Sequence, residues 1–129
     1  MTYKLTITQK STYLHFIVTG QLNKDNVKQY FEDIRRQCSA LNCRNILIEE
    51  NLDGPRLNVM TVLQLISDES IRSMQLFSAI AYVDVKAEGN SMKFIEDAAV
   101  NRALPVSVFP TVAAAEKWLL NKASEKQNG

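Results

Sequence analysis

Three times this chain passes from a short apolar run into an amphipathic helical pattern, and that repetition points to an α/β fold. The last instance is the clearest. Val106, Val108 and Phe109 form a β-rich run that breaks at Pro110. Thr111 can then cap a helix on which Val112, Ala115 and Leu119 share one face, with Trp118 beside them. Strand–helix–strand units imply parallel pairing with right-handed crossovers.

The N-terminal part is written differently. Tyr3, Leu5 and Ile7 alternate with polar neighbours, as do Leu14, Phe16 and Val18, and Gln9, Lys10 and Ser11 lie between them. Two period-2 runs around a short polar link predict an antiparallel hairpin, with Gly20 ending its second strand. Asn23 or Asp25 can cap the next helix, on which Val27, Tyr30, Phe31, Ile34, Cys38 and Leu41 recur at helical spacing, and Asn42 is its stop. Asn45 to Glu49 holds three consecutive aliphatic residues, the mark of a strand covered on both faces and therefore central. Asn51 to Asn58 reads as a loop around Asp53-Gly54-Pro55, and Asn58 can cap a broadly apolar helix from Val59 to about Arg72. Phe77 to Val83 predicts a fourth strand, and Asn90 or Ser91 opens a helix that Pro105 stops. On that helix Met92, Ile95, Ala99 and Leu104 or Val100 point inward. The element order is ββαβαβαβα. It predicts a single α/β domain over residues 1–121 with a mixed five-stranded sheet, followed by a polar flexible tail over 122–129.

Composition narrows the function classes. With 129 residues the chain can bury one real core. A net charge of +1 and scattered basic residues give no electrostatic footprint for nucleic acid. No stretch approaches the roughly 20 apolar residues of a membrane span, and the N-terminus lacks an apolar signal region, so the cytoplasm is the expected compartment. Cys38 and Cys43 read as small apolar residues at a helix–strand junction, since cytosolic thiols stay reduced.

From Tyr3 to Leu120 the chain resembles the SpoIIAA-like group of the STAS superfamily (sulfate transporter and anti-sigma factor antagonist domains), related by fold to Sec14-type lipid-binding domains. The resemblance rests on the element order, Gly20 after the hairpin, the strand at Asn45–Glu49 followed by a loop and buried helix, and the closing Val106–Phe109 with Ala115-Glu-Lys-Trp118-Leu119. It implies a non-enzymatic regulatory domain that binds a protein. Related antagonists carry a phosphorylatable serine at the start of the buried helix. The matching position here falls near Leu57-Asn58-Val59, and Asn58 has no hydroxyl to phosphorylate. Thr61 and Ser67 are nearby hydroxyls outside that motif.

Reactive sets are sparse. His15 is the sole histidine and is read as a solvated or edge residue on the face opposite Leu14 and Phe16. One histidine and two cysteines make a poor zinc set, so no metal and no cofactor is expected, and no catalytic residue is assigned. Glu49 or Glu50 and Asp84 end neighbouring strands where α/β proteins place sites, and could face one crevice. The expected working surface is a rim at the Asn51–Thr61 loop. Asn51, Asp53, Arg56, Asn58 and Thr61 supply polar contacts and Leu57 and Met60 apolar ones to a protein partner. The alternative is a carrier of a small apolar or lipid-like ligand, which requires a cavity of roughly 300 Å3 between the helix and the sheet. Homodimerisation through the edge strand Tyr3–Ile7 is a further expectation.

Overall fold

Nine elements follow one another in the predicted order in the computed structural model, which describes residues 2–86 and 89–128. They are β1 (Tyr3–Gln9), β2 (Leu14–Gln21), α1 (Lys24–Leu41), β3 (Asn45–Asp53), α2 (Val59–Arg72), β4 (Ala79–Asp84), α3 (Gly89–Val100), β5 (Val106–Val108) and α4 (Val112–Asn128). The sheet order is β1-β2-β3-β4-β5. Only the β1–β2 pair is antiparallel, so the sheet is mixed and β3 sits at its centre. The consecutive aliphatics Ile46, Leu47 and Ile48 of β3 are buried to 1% exposure or less, as a strand covered on both faces demands.

Alternation along the strands sorts side chains into two cores. Leu14, Phe16, Val18, Ile46, Ile48, Leu52 and Ile80 meet Val27, Tyr30, Ile34 and Cys38 of α1 and Leu65 of α2 on one face. Leu47, Ala79, Ala81 and Val83 meet Ala115 and Leu119 of α4 on the other, with Tyr13, Phe109, Val112 and Trp118 closing the margin. Trp118 stacks obliquely on Phe109 at 5.4 Å between ring centres, and Lys122 lies over its outer face.

The helix boundaries follow local chemistry. Asn23 caps α1 by accepting from the Asn26 amide at 2.8 Å, which settles the choice between Asn23 and Asp25. Asn58 does the same for Thr61 at 2.8 Å, and Thr111 for Ala114 at 3.2 Å. Asn42 ends α1 in the left-handed conformation, φ 52°. Cys38 and Cys43 are both free thiols, and burial pushes Cys38 up to about 12.

Several boundaries differ from the sequence reading. β3 runs on to Asp53, so Asn51 and Leu52 are strand and not loop: β2 pairs with it along its whole length, ending at Gln21 opposite Asp53, and Leu52 is fully buried. Gly20 does not end β2 but lies inside it, opposite Tyr3, at φ 127°. β4 begins at Ala79, because Ser78 and Ala79 first donate to the Arg44 carbonyl, and Phe77 serves as core beneath them. β5 stops at Val108, where the Phe109 amide turns to the Tyr82 carbonyl. α3 begins at Gly89, the side chains of Asn90 and Ser91 lie outside the described residues, and so do Ala87 and Glu88 of the expected link. Of the two inward candidates after Ala99, Leu104 is buried and Val100 is exposed. α4 continues to Asn128, through the polar segment beyond Leu120. No helix of the described residues is long and apolar enough to cross a membrane.

Candidate functional site

The two faces of the sheet are not equally filled. Against α4 the strands present alanines and the contact is close. Against α1, α2 and α3 a cavity of about 340 Å3 remains. Its walls are Val27, Tyr30 and Phe31 of α1, Val59, Val62, Leu65 and Ile66 of α2, and Phe94, Ile95 and Ala99 of α3. Its floor is the sheet, at Ile80, Tyr82 and Val106. Leu57 and Arg56 stand at the loop between β3 and α2. The site therefore sits at the carboxyl ends of the central parallel strands, where α/β sheets bind ligands.

An otherwise apolar space holds a compact polar cluster. β3 and β4 pair in register with Glu50 opposite Asp84, so both carboxylates point to the same face and both are buried. Parity decides which of the consecutive glutamates takes part. Glu50 shares the face of Ile46 and Ile48, whereas Glu49 turns to the α4 side and meets His15 at 3.0 Å. His15 is accordingly neither the solvated nor the edge residue expected from the sequence: it lies on β2 between β1 and β3, its side chain is only 12% exposed, and that carboxylate holds it.

Around Glu50 the chain has arranged hydroxyls and not a cation. Tyr30 donates to its Oε2, and the Tyr82 side chain shares its face of the sheet from β4. Burial pushes the Glu50 carboxyl up to about 7, against the downward pull of the two tyrosines and of Arg56. Both phenols are driven well above their ordinary range, by burial first and then by the Glu50 charge. Asp84 is paired: Arg56 Nη1 reaches its Oδ2 at 3.0 Å, and Arg56 Nη2 donates to the Leu52 carbonyl at 3.1 Å. Asp84 also accepts the Lys86 amide. The third acid of the wall, Glu69, is bound by Arg35 through Oε1 and by the Ser73 hydroxyl through Oε2. No group of three metal-ligating side chains occurs among the described residues.

The residues expected at a partner-binding rim fall into four groups. Arg56 and Leu57 line the cavity mouth. Asn58 is spent on capping, and Thr61 supplies the amide it caps and is half-buried. Met60 is exposed on the first turn of α2, beside Val59. Asn51 lies within β3 opposite Thr19, away from the cavity wall, and Asp53 is exposed and paired with Lys86. The sequence places Glu49 or Glu50 with Asp84 at one crevice without choosing between the glutamates, and does not single out Tyr30, Tyr82 or Glu69. Tyr30 and Tyr82 read as core positions. The available signal was the hydroxyl itself, since a buried tyrosine needs a partner and a strand-end glutamate is one.

No family model matches the sequence, and no curated protein matches it. Solved structures do. An uncharacterised DUF3478-family protein from Shewanella loihica, described as having a SpoIIAA-like fold, superposes with a TM-score of 0.60 over 91% of this chain and 93% of that one, at 16% identity. A variant of RsbS from Moorella thermoacetica gives 0.58 over 94% and 98%, at 12% identity. The chain has the SpoIIAA-like fold. At these identities the likeness is one of architecture, and the function has to be argued from the site.

Proposed function

We propose that this is a non-enzymatic domain that binds a small, largely apolar molecule in the cavity between the sheet and α1, α2 and α3. The observation that carries the reading is the cavity itself: about 340 Å3, walled by aliphatic and aromatic side chains, with its polar groups gathered at Glu50, Tyr30, Tyr82 and the Arg56–Asp84 pair. Such a site binds by excluding water from apolar surface and orients its occupant through few polar contacts. The volume exceeds the minimum that a carrier of this kind needs. Among the described residues Glu50 is held by the Tyr30 phenol and His15 lies on the opposite face, bonded to Glu49, so the two do not combine as a base for a nucleophile here.

Titration with a fluorescent apolar probe tests the reading. Saturable one-to-one binding to the wild-type protein is expected, and Val62→Phe, which fills the cavity from α2, removes it while leaving the unfolding transition intact. Probe binding that is unsaturable, or unchanged in Val62→Phe, overturns it.

A second reading, protein docking, is favoured by a separate observation. Val59 and Met60, 58% and 64% exposed, stand on the first turn of α2 beside Arg56. A partner seated there would cover the cavity mouth, so ligand and partner would influence each other and the domain would act as a regulator. Asn58 offers no phosphoacceptor at that turn, so such a regulator would work without the serine switch of the related antagonists. Loss of partner capture in Met60→Asp or Arg56→Ala supports docking at this rim, and unchanged capture in both removes it. The cytoplasm remains the proposed compartment, and pairing of two copies along β1 the proposed route to any homodimer.

A further inference from the structure

We propose that the occupant of the cavity is a cationic amphiphile, a protonated amine on an apolar body, with the Glu50 carboxylate as its counter-ion. The inference rests on the apolar-ligand reading above and adds the charge of the ligand's head group.

Charge balance in the wall carries it. Four charged side chains line the cavity: Glu50, Glu69, Asp84 and Arg56. Glu69 is neutralised from outside by Arg35 and its second oxygen is taken by Ser73. Asp84 is neutralised by Arg56, whose other Nη is bound to the Leu52 carbonyl, so the guanidinium has little left to offer an anion. Glu50 alone has no cation within ion-pair distance among the described residues. The groups facing it are Tyr30 from α1, Tyr82 and Asp84 from β4 and Arg56 from the loop, while among the described residues α2 and α3 present Glu69 and apolar side chains to the cavity. The Tyr30 hydroxyl occupies part of its lone-pair capacity and orients it, and a carboxylate can accept further bonds. A buried acid left without a cation is costly when ionised, which is why its carboxyl is pushed up to about 7, and an incoming ammonium would remove that cost.

The walls suit such a ligand. Tyr30 and Phe31 stack at 4.7 Å, and Tyr82 and Phe94 complete an aromatic lining. Aromatic faces attract cations in desolvated sites. An anionic amphiphile meets the reverse: a surplus carboxylate and a spent arginine.

The test compares three probes with one chain length, octylamine, octanol and octanoate, by calorimetry on the full-length protein. At about pH 8, where Glu50 is mostly ionised and the amine protonated, octylamine is expected to bind roughly tenfold or more tighter than octanol, and octanoate weakest. Glu50→Gln should bring octylamine to the level of octanol and leave octanol unchanged, which also shows that the variant is folded. In the wild type, octylamine affinity should rise several-fold from about pH 5.5 to 8 while octanol stays flat. If octanol or octanoate binds as well as octylamine, or Glu50→Gln leaves the preference intact, the amine inference is overturned and the cavity reading stands. If none of the three binds, the cavity reading falls with it.

Discussion

The two faces of the sheet solve the same problem in opposite ways. On the α4 side, Ala79 and Ala81 of β4 and Ala115 of α4 let helix and sheet approach closely, and Leu47, Val83 and Leu119 fill what remains. On the other side, three helices lie over β2 to β5 and leave a space of about 340 Å3 with buried carboxylates in its wall. The first face is optimised for packing density. The second gives up density and places ionisable groups where burial is unfavourable to them. The contrast teaches that stability and binding are divided between the faces, so mutations on each should fail differently.

The largest expected effect is on the packed face. Leu119→Ala should cost about 3 kcal/mol in chemical denaturation, because it opens a void in a layer that cannot collapse. A loss below about 1 kcal/mol would show that this face is looser than its burial implies.

Next is a pH effect on the cavity face. The Glu50 carboxyl rises from the ordinary 4.5 to about 7 in the folded protein. Its folded value therefore lies above its unfolded one. The stability it contributes is fully present below about pH 4.5 and is lost as pH rises through 7. The whole swing is on the order of 3 kcal/mol, of which a part falls in any one accessible pH interval. Glu50→Gln should flatten the stability profile between these limits relative to the wild type, measured by urea unfolding across that range. Parallel profiles would mean that Glu50 is not desolvated.

A paired substitution sharpens the comparison directly. Ala81→Leu, against α4, should destabilise by about 1–3 kcal/mol through overpacking. Ala99→Leu, which adds the same atoms at the cavity wall, should change stability by under about 1 kcal/mol while weakening probe binding. Equal melting-temperature losses would erase the distinction between the faces. The smallest effect belongs to neither face: Asn58→Ala should cost about 1 kcal/mol by uncapping α2, without moving probe affinity.

What was legible in the sequence was what local chemistry decides. The caps at Asn58 and Thr111, a cap at Asn23 or Asp25 that the structure decides for Asn23, the stop at Asn42 and the central place of Ile46–Ile48 need only neighbouring residues or a burial pattern. The end of β3 was not legible, because Asn51 to Asp53 carries turn-forming residues and becomes strand through pairing with β2. Which glutamate faces the cavity depends on the parity of one strand, and two consecutive glutamates leave that open. The cavity itself is a property of helix spacing and belongs to no residue. Tyr30 and Tyr82 meet Glu50 only once α1, β3 and β4 are side by side.

Gly20 carries a consequence for the integrity of the sheet's outer seam. A methyl group there would lie 2.6 Å from the Thr2 carbonyl oxygen and from the Tyr3 Cα, on a backbone that side chains rarely adopt. Any bulkier residue would push the first strand away from the second and loosen the antiparallel pairing that closes this side of the sheet.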